Sequence, residues 1–377
     1  MSQQWIYRFF FLLFLCVFFF YLYFCRKVVN MSNMSYEVTI GIPVYNVEKY
    51  IRLTMDSALS QTFGSIEFLI LDDCGTDKSM DVVREYQQTH PRGKDIHIIS
   101  QPHNGGLGRA RNRIIDMAQG KYLYHLDADD AIAPNSIQLL YDNAMKYDAD
   151  IVYGSYERIE EFDGKITRKD CHYPKLFFMN EYEFADYVYS NYGFLQANTW
   201  NFLIRTDIYR KNNIRHKAVN YWEDFSVTID LPTYITKAVL LPDITYFYYC
   251  RYGSLSNFSK RDYIDKSEIV KTIDAMEQVK RSSDRVKPMP YFHKRMYKVM
   301  MTHFYMACAI LKDKKVIHPS FTNREIRDLM HSPLSMFETL TLKGWRFKNM
   351  ALFMLGVLPP CVSVLLITWL GKGKHLI

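Results

Sequence analysis

The sequence has few of the features that mark a disulfide-bonded or zinc-binding protein. Its cysteines are scattered, and they form no Cys-x-x-Cys pair and no evenly spaced framework. This usage is typical of a protein kept in a reducing cytoplasm. The cysteines are Cys16, Cys25, Cys74, Cys171, Cys250, Cys308 and Cys361.

The sequence also lacks a dense basic stripe, an internal repeat and a low-complexity tract. Its formal net charge is +7, yet the lysines and arginines are dispersed, which argues against a nucleic-acid partner. Hydrophobic residues make up 49% and aromatic residues 16% of the 377 positions. These proportions exclude disorder as the dominant state and indicate a large core, membrane contact or both.

An uncharged apolar run lies near the N-terminus, from Phe9 to Cys25. With the residues before it, this run approaches the roughly 17 to 25 residues that a membrane-spanning helix needs. No small-x-small cleavage site follows, so a spanning segment is favoured over a cleaved signal peptide. Arg26 and Lys27 downstream outweigh Arg8 upstream, and by the positive-inside rule this favours the cytoplasm for the rest of the chain.

A second apolar stretch, from Met350 to Leu370, is interrupted by Pro359 and the proline after it. From Thr339 to the C-terminus the chain has five Lys or Arg residues and no acidic residue. A basic, apolar tail suits an anionic membrane surface, so membrane lipids are an expected partner. A continuous span, a bent or interfacial segment and a solvated basic tail are all open interpretations of this stretch.

From Glu37 onward, short β-rich runs alternate with segments of helical periodicity. Strands separated by helices of about 10 to 15 residues predict an α/β fold with a mostly parallel sheet flanked by helices. Tyr263 to Arg281 and Tyr291 to Leu311 predict two further amphipathic helices. The predicted strands are Val38–Ile42, Glu67–Leu71, Ile96–Ser100, Tyr122–Leu126 and Ile151–Tyr153, and the predicted helices between them are Val47–Ser60, Lys78–Gln88, Leu107–Met117 and one after Pro134.

Polar clusters follow three of these strands at their carboxyl ends. Pro43 to Asn46 follows the first strand, Asp72 and Asp73 follow the second, and Asp127 to Asp130 follows the fourth. Ligands of open α/β sheets bind outside the carboxyl ends of the strands. We therefore expect these three clusters to form one site.

The segment from Asp127 to Asp130 contains three carboxylates directly after an apolar strand. Such charges repel one another unless a cation lies among them, and a hard divalent ion with oxygen ligands is the natural partner. Mg²⁺ prefers one or two carboxylates together with substrate phosphates, which indicates a nucleoside diphosphate. The alternative is that Asp129 and Asp130 cap the helix near Pro134.

Two further segments could contact such a ligand. A carboxylate of the cluster from Asp72 to Asp77 could accept a hydrogen bond from a base N–H, although an ordinary turn with Asp77 as helix cap is the competing interpretation. The glycine-rich segment from Asn104 to Arg109 opens a helix that carries Arg111, which suits a phosphate or carboxylate group. Its spacing matches neither the P-loop nor the Rossmann fingerprint.

Glu223 and Asp224 lie between two aromatic residues, far along the chain from the other acids. A partly desolvated carboxylate at this position could remove the proton from a hydroxyl nucleophile. A helix cap or a surface ion pair is the competing interpretation.

Together these motifs resemble glycosyltransferase family 2, whose members have the GT-A fold, and the similarity runs from about Val38 to Ser256. The order and spacing of the motifs carry the resemblance. Cys74 departs from the family pattern because a glycine is frequent there, and the similarity fades after Ser256. The motifs are IGIPVYN at 40–46, SALSQTF at 57–63, Asp72-Asp73 with Gly75-Thr76-Asp77, Asn104-Gly105-Gly106 with Ala110-Arg111-Asn112, LDADD at 126–130, Glu223-Asp224 and YCRYGS at 249–254.

The resemblance implies a bacterial, membrane-associated glycosyltransferase. It implies an inverting, single-displacement transfer from a nucleotide sugar, with a UDP-sugar as the default, to a hydroxyl group of a saccharide or lipid-linked acceptor. The product would belong to a cell-surface polysaccharide or glycolipid. A catalytically silent GT-A scaffold or nucleotide-binding protein is the alternative, and a metal-dependent phosphohydrolase would also use clustered aspartates.

The resemblance also implies roles for individual residues. Asp73 would contact the nucleotide base with Tyr45 packed near it, and Asp127 would lie close to the ribose or the metal. Asp129, together with Asp130, would coordinate Mg²⁺ or Mn²⁺ on the diphosphate. Asp224 would be the catalytic base that takes the proton of the acceptor hydroxyl. The remaining implied donor-binding residues are Pro43, Asn104, Gly106 and Arg111.

The resemblance and the apolar runs predict a division of the chain. Residues 1–34 would be the hydrophobic transmembrane segment, although a start at Met31 or Met34 stays an alternative. Residues 35–257 would be the GT-A domain, with a nucleotide-sugar-binding half at 35–155 and an acceptor half at 156–257. Residues 258–345 would be a helical extension, and residues 346–377 the membrane-associated tail.

Overall fold

The computed structural model describes residues 36–193, 195–217, 224–251 and 262–377. The predicted spanning segment at residues 9–25 lies outside these ranges. So do Glu223, the first acid of the predicted acceptor-side pair, and the last residues of the motif at 249–254.

The first half of the fold alternates strands and helices, as the sequence predicts. The central strand is buried from Val38 to Val44 because the sheet is covered on both faces. A glycine, Gly106, precedes the third helix with a positive φ of 77°, a conformation that glycine adopts at no steric cost. The elements are β1 (Tyr36–Val44), α1 (Ile51–Leu59), β2 (Ile66–Asp72), α2 (Ser79–Thr89), β3 (Ile96–Ser100), α3 (Leu107–Met117), β4 (Gly120–His125), β5 (Ala131–Ile132) and α4 (Ser136–Lys146).

The second half contains longer strands and shorter helices. A hairpin joins two of its strands through Asp163 and Gly164, which both have positive φ, as a tight hairpin turn requires. The elements are β6 (Ile151–Phe162), β7 (Lys165–Cys171), β8 (Leu176–Phe178), α5 (Glu183–Asn191), β9 (Phe202–Arg205), α6 (Thr206–Lys211), α7 (Phe225–Thr228) and β10 (Ala238–Arg251).

All of these strands form one mixed sheet, in the order β3-β2-β1-β4-β9-β6-β10-β5, with β7 on β6 and β8 on β10. The pairs within β3-β2-β1-β4 are parallel, and β10 is parallel to β6. Strand β9 runs antiparallel between β4 and β6. The prediction of an α/β fold with flanking helices is confirmed, but the expected mostly parallel sheet is wrong for the second half, where β5, β7, β8 and β9 pair antiparallel.

The C-terminal part is helical and packs on the sheet domain. Tyr189 and Phe225 of the sheet domain belong to the same apolar cluster as Met296 and Phe304 of the extension. The elements are β11 (Ile264–Asp265), α8 (Lys266–Ser282), α9 (Phe292–Lys312), β12 (Ile317–His318), α10 (Asn323–Leu329), α11 (Met336–Thr341), α12 (Arg346–Val357) and α13 (Pro360–Gly373).

A buried arginine, Arg295, ties this extension to the segment after α7. It is 0% exposed and donates hydrogen bonds to the Tyr189 hydroxyl (2.7 Å), the Ile229 carbonyl (2.9 Å) and the Asp230 carboxylate (2.6 Å). A buried guanidinium needs this full set of acceptors to offset its desolvation. The extension therefore fixes the chain a few residues after Asp224.

The apolar stretch at residues 350–370 divides between two helices, α12 and α13, which are separated at Leu358 and Pro359. Of the open interpretations of this stretch, the structure has the bent one, because proline cannot continue the preceding helix. Within the ranges that the structure describes, no helix combines the length and apolar character that a bilayer crossing requires.

Candidate functional site

Arg111 lies at the centre of the site and joins acids from distant parts of the chain. Its guanidinium donates through Nη1 to Asp224 Oδ1 (2.5 Å) and through Nη2 to Asp127 Oδ1 (2.8 Å). Arg111 is 1% exposed, so these charge-assisted bonds are shielded from water. Helix α3, through Arg111, thus joins Asp127 after β4 to Asp224 before α7.

Asp224 is surrounded by groups that favour its charged form. Besides Arg111, it accepts hydrogen bonds from the backbone N–H and the hydroxyl of Thr199 (3.3 and 3.0 Å), and His216 Nδ1 lies 3.2 Å from Oδ1. Burial opposes ionisation, but Arg111, His216 and Thr199 outweigh it and lower the pKa of Asp224 well below its ordinary value. In this arrangement the carboxylate is ionised at neutral pH and only weakly basic.

The backbone around His216 is held by the residue after Arg111. Asn112 donates to the His216 carbonyl and accepts from the His216 N–H, both at 2.8 Å. Burial lowers the pKa of His216, although Asp224 opposes this shift. A neutral imidazole therefore packs against the Asp224 carboxylate at neutral pH.

Asp73 is buried and anchors the glycine-rich segment. Its carboxylate accepts hydrogen bonds from Gln101 Nε2 (2.7 Å) and from the backbone N–H groups of Gly105 (2.8 Å) and Gly106 (3.1 Å). The Asn104 side chain also accepts from the Gly106 N–H, at 3.0 Å. Asp73, Asn104 and Gly106 are thus brought together as the sequence predicts, whereas the contact of Asp73 with a nucleotide base stays a prediction.

Pro43 and Tyr45 lie at the carboxyl end of β1, beside the Asp73 turn. Pro43 is buried in the strand, and Tyr45 directly after it is 47% exposed. The Asp73 N–H donates to the Val44 carbonyl at 3.0 Å, which fixes the two loops relative to each other. The exposed Tyr45 ring is therefore available beside the position predicted for the nucleotide base.

Asp129 is partly buried after β4 and close to Asp127. Burial and the neighbouring Asp127 charge raise the pKa of Asp129 to about 6, although Arg251 opposes this shift. Two carboxylates with this environment fit a hard divalent cation whose other ligands are phosphate oxygens and water. Across the described ranges, no group of three or more His, Cys, Asp or Glu side chains is arranged to hold a metal by itself.

Asp130 is buried, and its carboxylate is hydrogen-bonded to strand β10. Its carboxylate accepts hydrogen bonds from the Tyr246 hydroxyl (2.7 Å) and the Tyr249 N–H (2.8 Å), and its carbonyl accepts from the Thr54 hydroxyl (2.7 Å). Burial and the charges of Asp129 and Asp127 raise its pKa, while the bonds from Tyr249 and Tyr246 oppose the rise. These contacts favour a role in fixing the loop to β10, and coordination of a metal by Asp130 stays a prediction.

Sequence reasoning missed Thr199 and His216, which both contact Asp224. Each is a single polar residue outside any acidic or glycine-rich cluster, so the sequence carried no signal for it. Arg251 was within the motif at 249–254, and the structure gives it a contact with the Asp129 carbonyl at 2.9 Å.

Comparisons with known proteins find similarity to glycosyltransferases. Residues 39–219 match the model of a family described as glycosyl transferase family 2. The chain is 30% identical over 228 residues to glycosyltransferase GlyA of Streptococcus pneumoniae serotype 4, a match that covers 58% of this chain but only 31% of GlyA. It is 25% identical over 274 residues to the uncharacterized glycosyltransferase YibD of Escherichia coli K12, covering 70% of this chain and 77% of YibD.

A solved structure has a similar fold. The crystal structure of S. aureus TarS 1-349 in complex with UDP-GlcNAc superposes with a TM-score of 0.55 at 15% identity, covering 85% of this chain and 90% of TarS 1-349. At this identity the likeness concerns the fold alone. The family match over residues 39–219, the order of the motifs and the GT-A-like fold all point to glycosyltransferase family 2 for this part of the chain.

Proposed function

We propose that the protein is an inverting glycosyltransferase that moves a sugar from a nucleoside diphosphate sugar to a hydroxyl acceptor during synthesis of a cell-surface polysaccharide or glycolipid. The observation that carries this proposal is the bridge from Arg111 to Asp127 and Asp224. This bridge brings together two acids that lie far apart in the sequence, of which Asp127 belongs to the residues that match family 2.

Asp224 acts as the base in the proposed reaction. The acceptor oxygen attacks the anomeric carbon, the bond from that carbon to the diphosphate oxygen breaks, and the hydroxyl proton passes to the Asp224 carboxylate. Arg111 lowers the basicity of Asp224 in the arrangement described above. A diphosphate bound beside Arg111 would compete for its guanidinium, weaken its hold on Asp224 and so increase the basicity of that carboxylate.

Asp127 and Asp129 would hold the divalent metal, Mg²⁺ or Mn²⁺. The raised pKa of Asp129 supports this assignment, since a cation would relieve the unfavourable charge beside Asp127. When bound, the metal would stabilise the negative charge that develops on the departing diphosphate.

The donor would lie between the β1 and β2 loops and α3. Tyr45 offers an exposed ring for the nucleotide base, and Asp73 fixes the glycine-rich segment that precedes α3, a helix whose N-terminus suits a phosphate group. A UDP-sugar is the proposed donor class. The TarS structure, which shares this fold, contains UDP-GlcNAc.

The reaction is tested with purified full-length protein, a panel of UDP-sugars and Mn²⁺. We expect Asp129→Asn and Asp224→Asn to abolish sugar transfer while the protein still folds, as judged by thermal unfolding. Asp81→Asn is a matched control because its carboxylate is 72% exposed and contacts only Arg84 among the described ion pairs. Full turnover by Asp224→Asn would remove this residue from the mechanism, and metal-dependent donor binding without transfer or hydrolysis would favour a silent scaffold.

We also propose that the protein works at the cytoplasmic face of a bacterial inner membrane. Helices α11 to α13 support this proposal, because they expose Phe337 (75%), Phe347 (77%), Leu365 (69%) and Trp369 (70%) in a region without acidic residues after Glu338. Apolar side chains flanked by lysine and arginine suit an interface with anionic lipid. The apolar N-terminal run would add a second attachment.

Vesicle flotation tests the membrane proposal. Full-length protein should float with vesicles that contain phosphatidylglycerol, and Leu365→Glu with Trp369→Glu should reduce the bound fraction. Ile166→Glu is the control, since Ile166 is 61% exposed on β7, away from the C-terminal helices. Equal flotation of the double variant and the control would contradict a role for α13.

A further inference from the structure

A cavity of about 370 Å³ opens next to strands β6 and β10 of the sheet. Its walls include Tyr156 and Arg158 from β6, Tyr248 from β10, and the segment from Gln196 to Trp200 that precedes β9. Ligand-binding clefts of proteins have volumes of about 300 to 1,000 Å³, so this cavity is large enough for one small ring.

Two parts of the cavity wall connect to acids of the candidate site. Thr199, between the lining residues Asn198 and Trp200, donates to Asp224 through its hydroxyl at 3.0 Å. On the other side, Trp200 stacks on Tyr246 at 4.3 Å between ring centroids, and the Tyr246 hydroxyl donates to Asp130. The cavity wall is thus one contact away from Asp224 on one side and two contacts away from Asp130 on the other.

The segment from Gln196 to Trp200 is held in place before any ligand binds. The Gln196 side-chain amide donates to the carbonyls of Asn198 (3.1 Å) and Trp200, and its carbonyl oxygen accepts from the Tyr173 hydroxyl (3.0 Å). The Asn198 amide, by contrast, makes no hydrogen bond with the described residues. A preformed wall with an available amide is typical of a binding pocket, because the residues of the wall lose little conformational entropy when a ligand binds.

The side chains that line the cavity favour a sugar ring over a lipid chain or a phosphate group. Tyr156 and Tyr248 present partly exposed aromatic rings over the buried Trp200. The Arg158 guanidinium is 47% exposed and paired with Glu160 at 2.8 Å, so this wall has polar groups but a compensated charge. A pyranose has an apolar face for the aromatic rings and hydroxyl groups for the polar side chains. A lipid chain would leave those polar groups unpaired, and a phosphate would meet no excess positive charge.

We propose that this cavity receives an uncharged pyranose ring of a saccharide acceptor. The ring packs on Tyr156 and Tyr248, and its hydroxyl groups bond to the Asn198 amide and the Arg158 and Glu160 pair. One acceptor hydroxyl then points towards Asp224. This inference rests on the proposed function, which it makes specific by naming the acceptor class.

Saturation-transfer NMR on the full-length protein tests the inference with defined probes. These are the methyl glycosides of glucose, galactose and N-acetylglucosamine, with glycerol 3-phosphate and octanol as competing chemistries, each with and without UDP and Mn²⁺. We expect saturation of the ring protons of at least one glycoside. Tyr248→Ala should weaken its binding about tenfold. Asn198→Ala removes a side chain that makes no hydrogen bond with the described residues, and it should weaken glycoside binding about threefold.

Tyr305→Ala is the matched control, because Tyr305 is 41% exposed on α9 and is not among the residues that line the cavity. Glycoside binding that is equal in wild type, Tyr248→Ala and Asn198→Ala would overturn the inference. Binding of glycerol 3-phosphate or octanol alone would overturn it too, while UDP binding in the same samples leaves the proposed function standing. Glycoside binding that depends on Asn198, without any binding of UDP, would support the pocket and contradict the proposed donor.

Discussion

Replacing Arg111 with methionine should destabilise the sheet domain strongly. Methionine keeps much of the length of the buried stem but removes the cation between Asp127 and Asp224, which accept from Arg111 at 2.8 and 2.5 Å. Removing one partner of a buried ion pair typically costs about 3 to 5 kcal/mol, since it leaves a buried charge without compensation. For a domain of about 150 to 250 residues, each kcal/mol lowers Tm by about 2 to 4 °C, so we expect a decrease of about 6 to 20 °C.

Thermal unfolding followed by circular dichroism at pH 7 measures this decrease. Arg113→Met is the control, because Arg113 lies on the same helix with an exposed side chain. The double variant Arg111→Met with Asp224→Asn should lose less stability than the sum of the single variants, since it removes one of the two stranded charges. A Tm of Arg111→Met within about 2 °C of that of Arg113→Met would refute the account of the bridge.

The ion pair between Arg111 and Asp224 also predicts how the stability of the protein depends on pH. The folded pKa of Asp224 is depressed, so its ion pair stabilises the protein above the ordinary carboxyl pKa of about 3.9 and ceases to do so as the pH falls through the folded value. In Arg111→Met this stabilisation is absent at every pH. The difference in Tm between wild type and Arg111→Met should therefore narrow as the pH is lowered below about 4.

Further changes should act on single contacts. Asp73→Ala removes the acceptor of the hydrogen bonds from Gln101, Gly105 and Gly106. It should reduce the free energy of unfolding in urea by about 1 to 3 kcal/mol and weaken UDP binding measured by calorimetry. An unchanged UDP affinity would contradict the role of Asp73 as an anchor of the glycine-rich segment. Burial would raise the pKa of Glu277, but His303 and Lys280 lower this pKa to about 2. The ionised Glu277 therefore stabilises the fold above the ordinary pKa of about 4.3, and this stabilisation is lost as the pH falls towards 2. Glu277→Gln should lack this pH-dependent stabilisation. Tm curves of wild type and Glu277→Gln that stay parallel between pH 5 and 3 would contradict a role of Glu277 in it.

The local elements of the first half follow closely from sequence. The predicted strand Ile96–Ser100 and helix Leu107–Met117 coincide with β3 and α3, because apolar periodicity and the glycines before the helix act over short range. In the second half the predicted strand Ile151–Tyr153 is only the start of β6, which continues to Phe162. The continuation carries mostly polar side chains and pairs with β7, so hydrophobic patterning gives no signal there, although Asp163-Gly164 marks the turn.

The site shows the same limit of sequence information. The acids at 73, 127, 129 and 224 can be found from the motifs, because carboxylates at the ends of strands are unusual enough to notice. The partners of Asp224 cannot, since Thr199 and His216 reach it only after β9 has been inserted antiparallel between β4 and β6. Long-range pairing of this kind depends on the whole sheet and leaves no local pattern.

The buried Arg295 sets a practical boundary for anyone who wishes to work with the catalytic domain alone. A protein cut after residue 257 would lose the guanidinium that bonds to the Ile229 carbonyl and the Asp230 carboxylate, and would uncover the apolar surface around Tyr189 and Phe225. Domain exchanges with related enzymes should therefore transfer the helical third together with the sheet, or supply a cation at the position of Arg295.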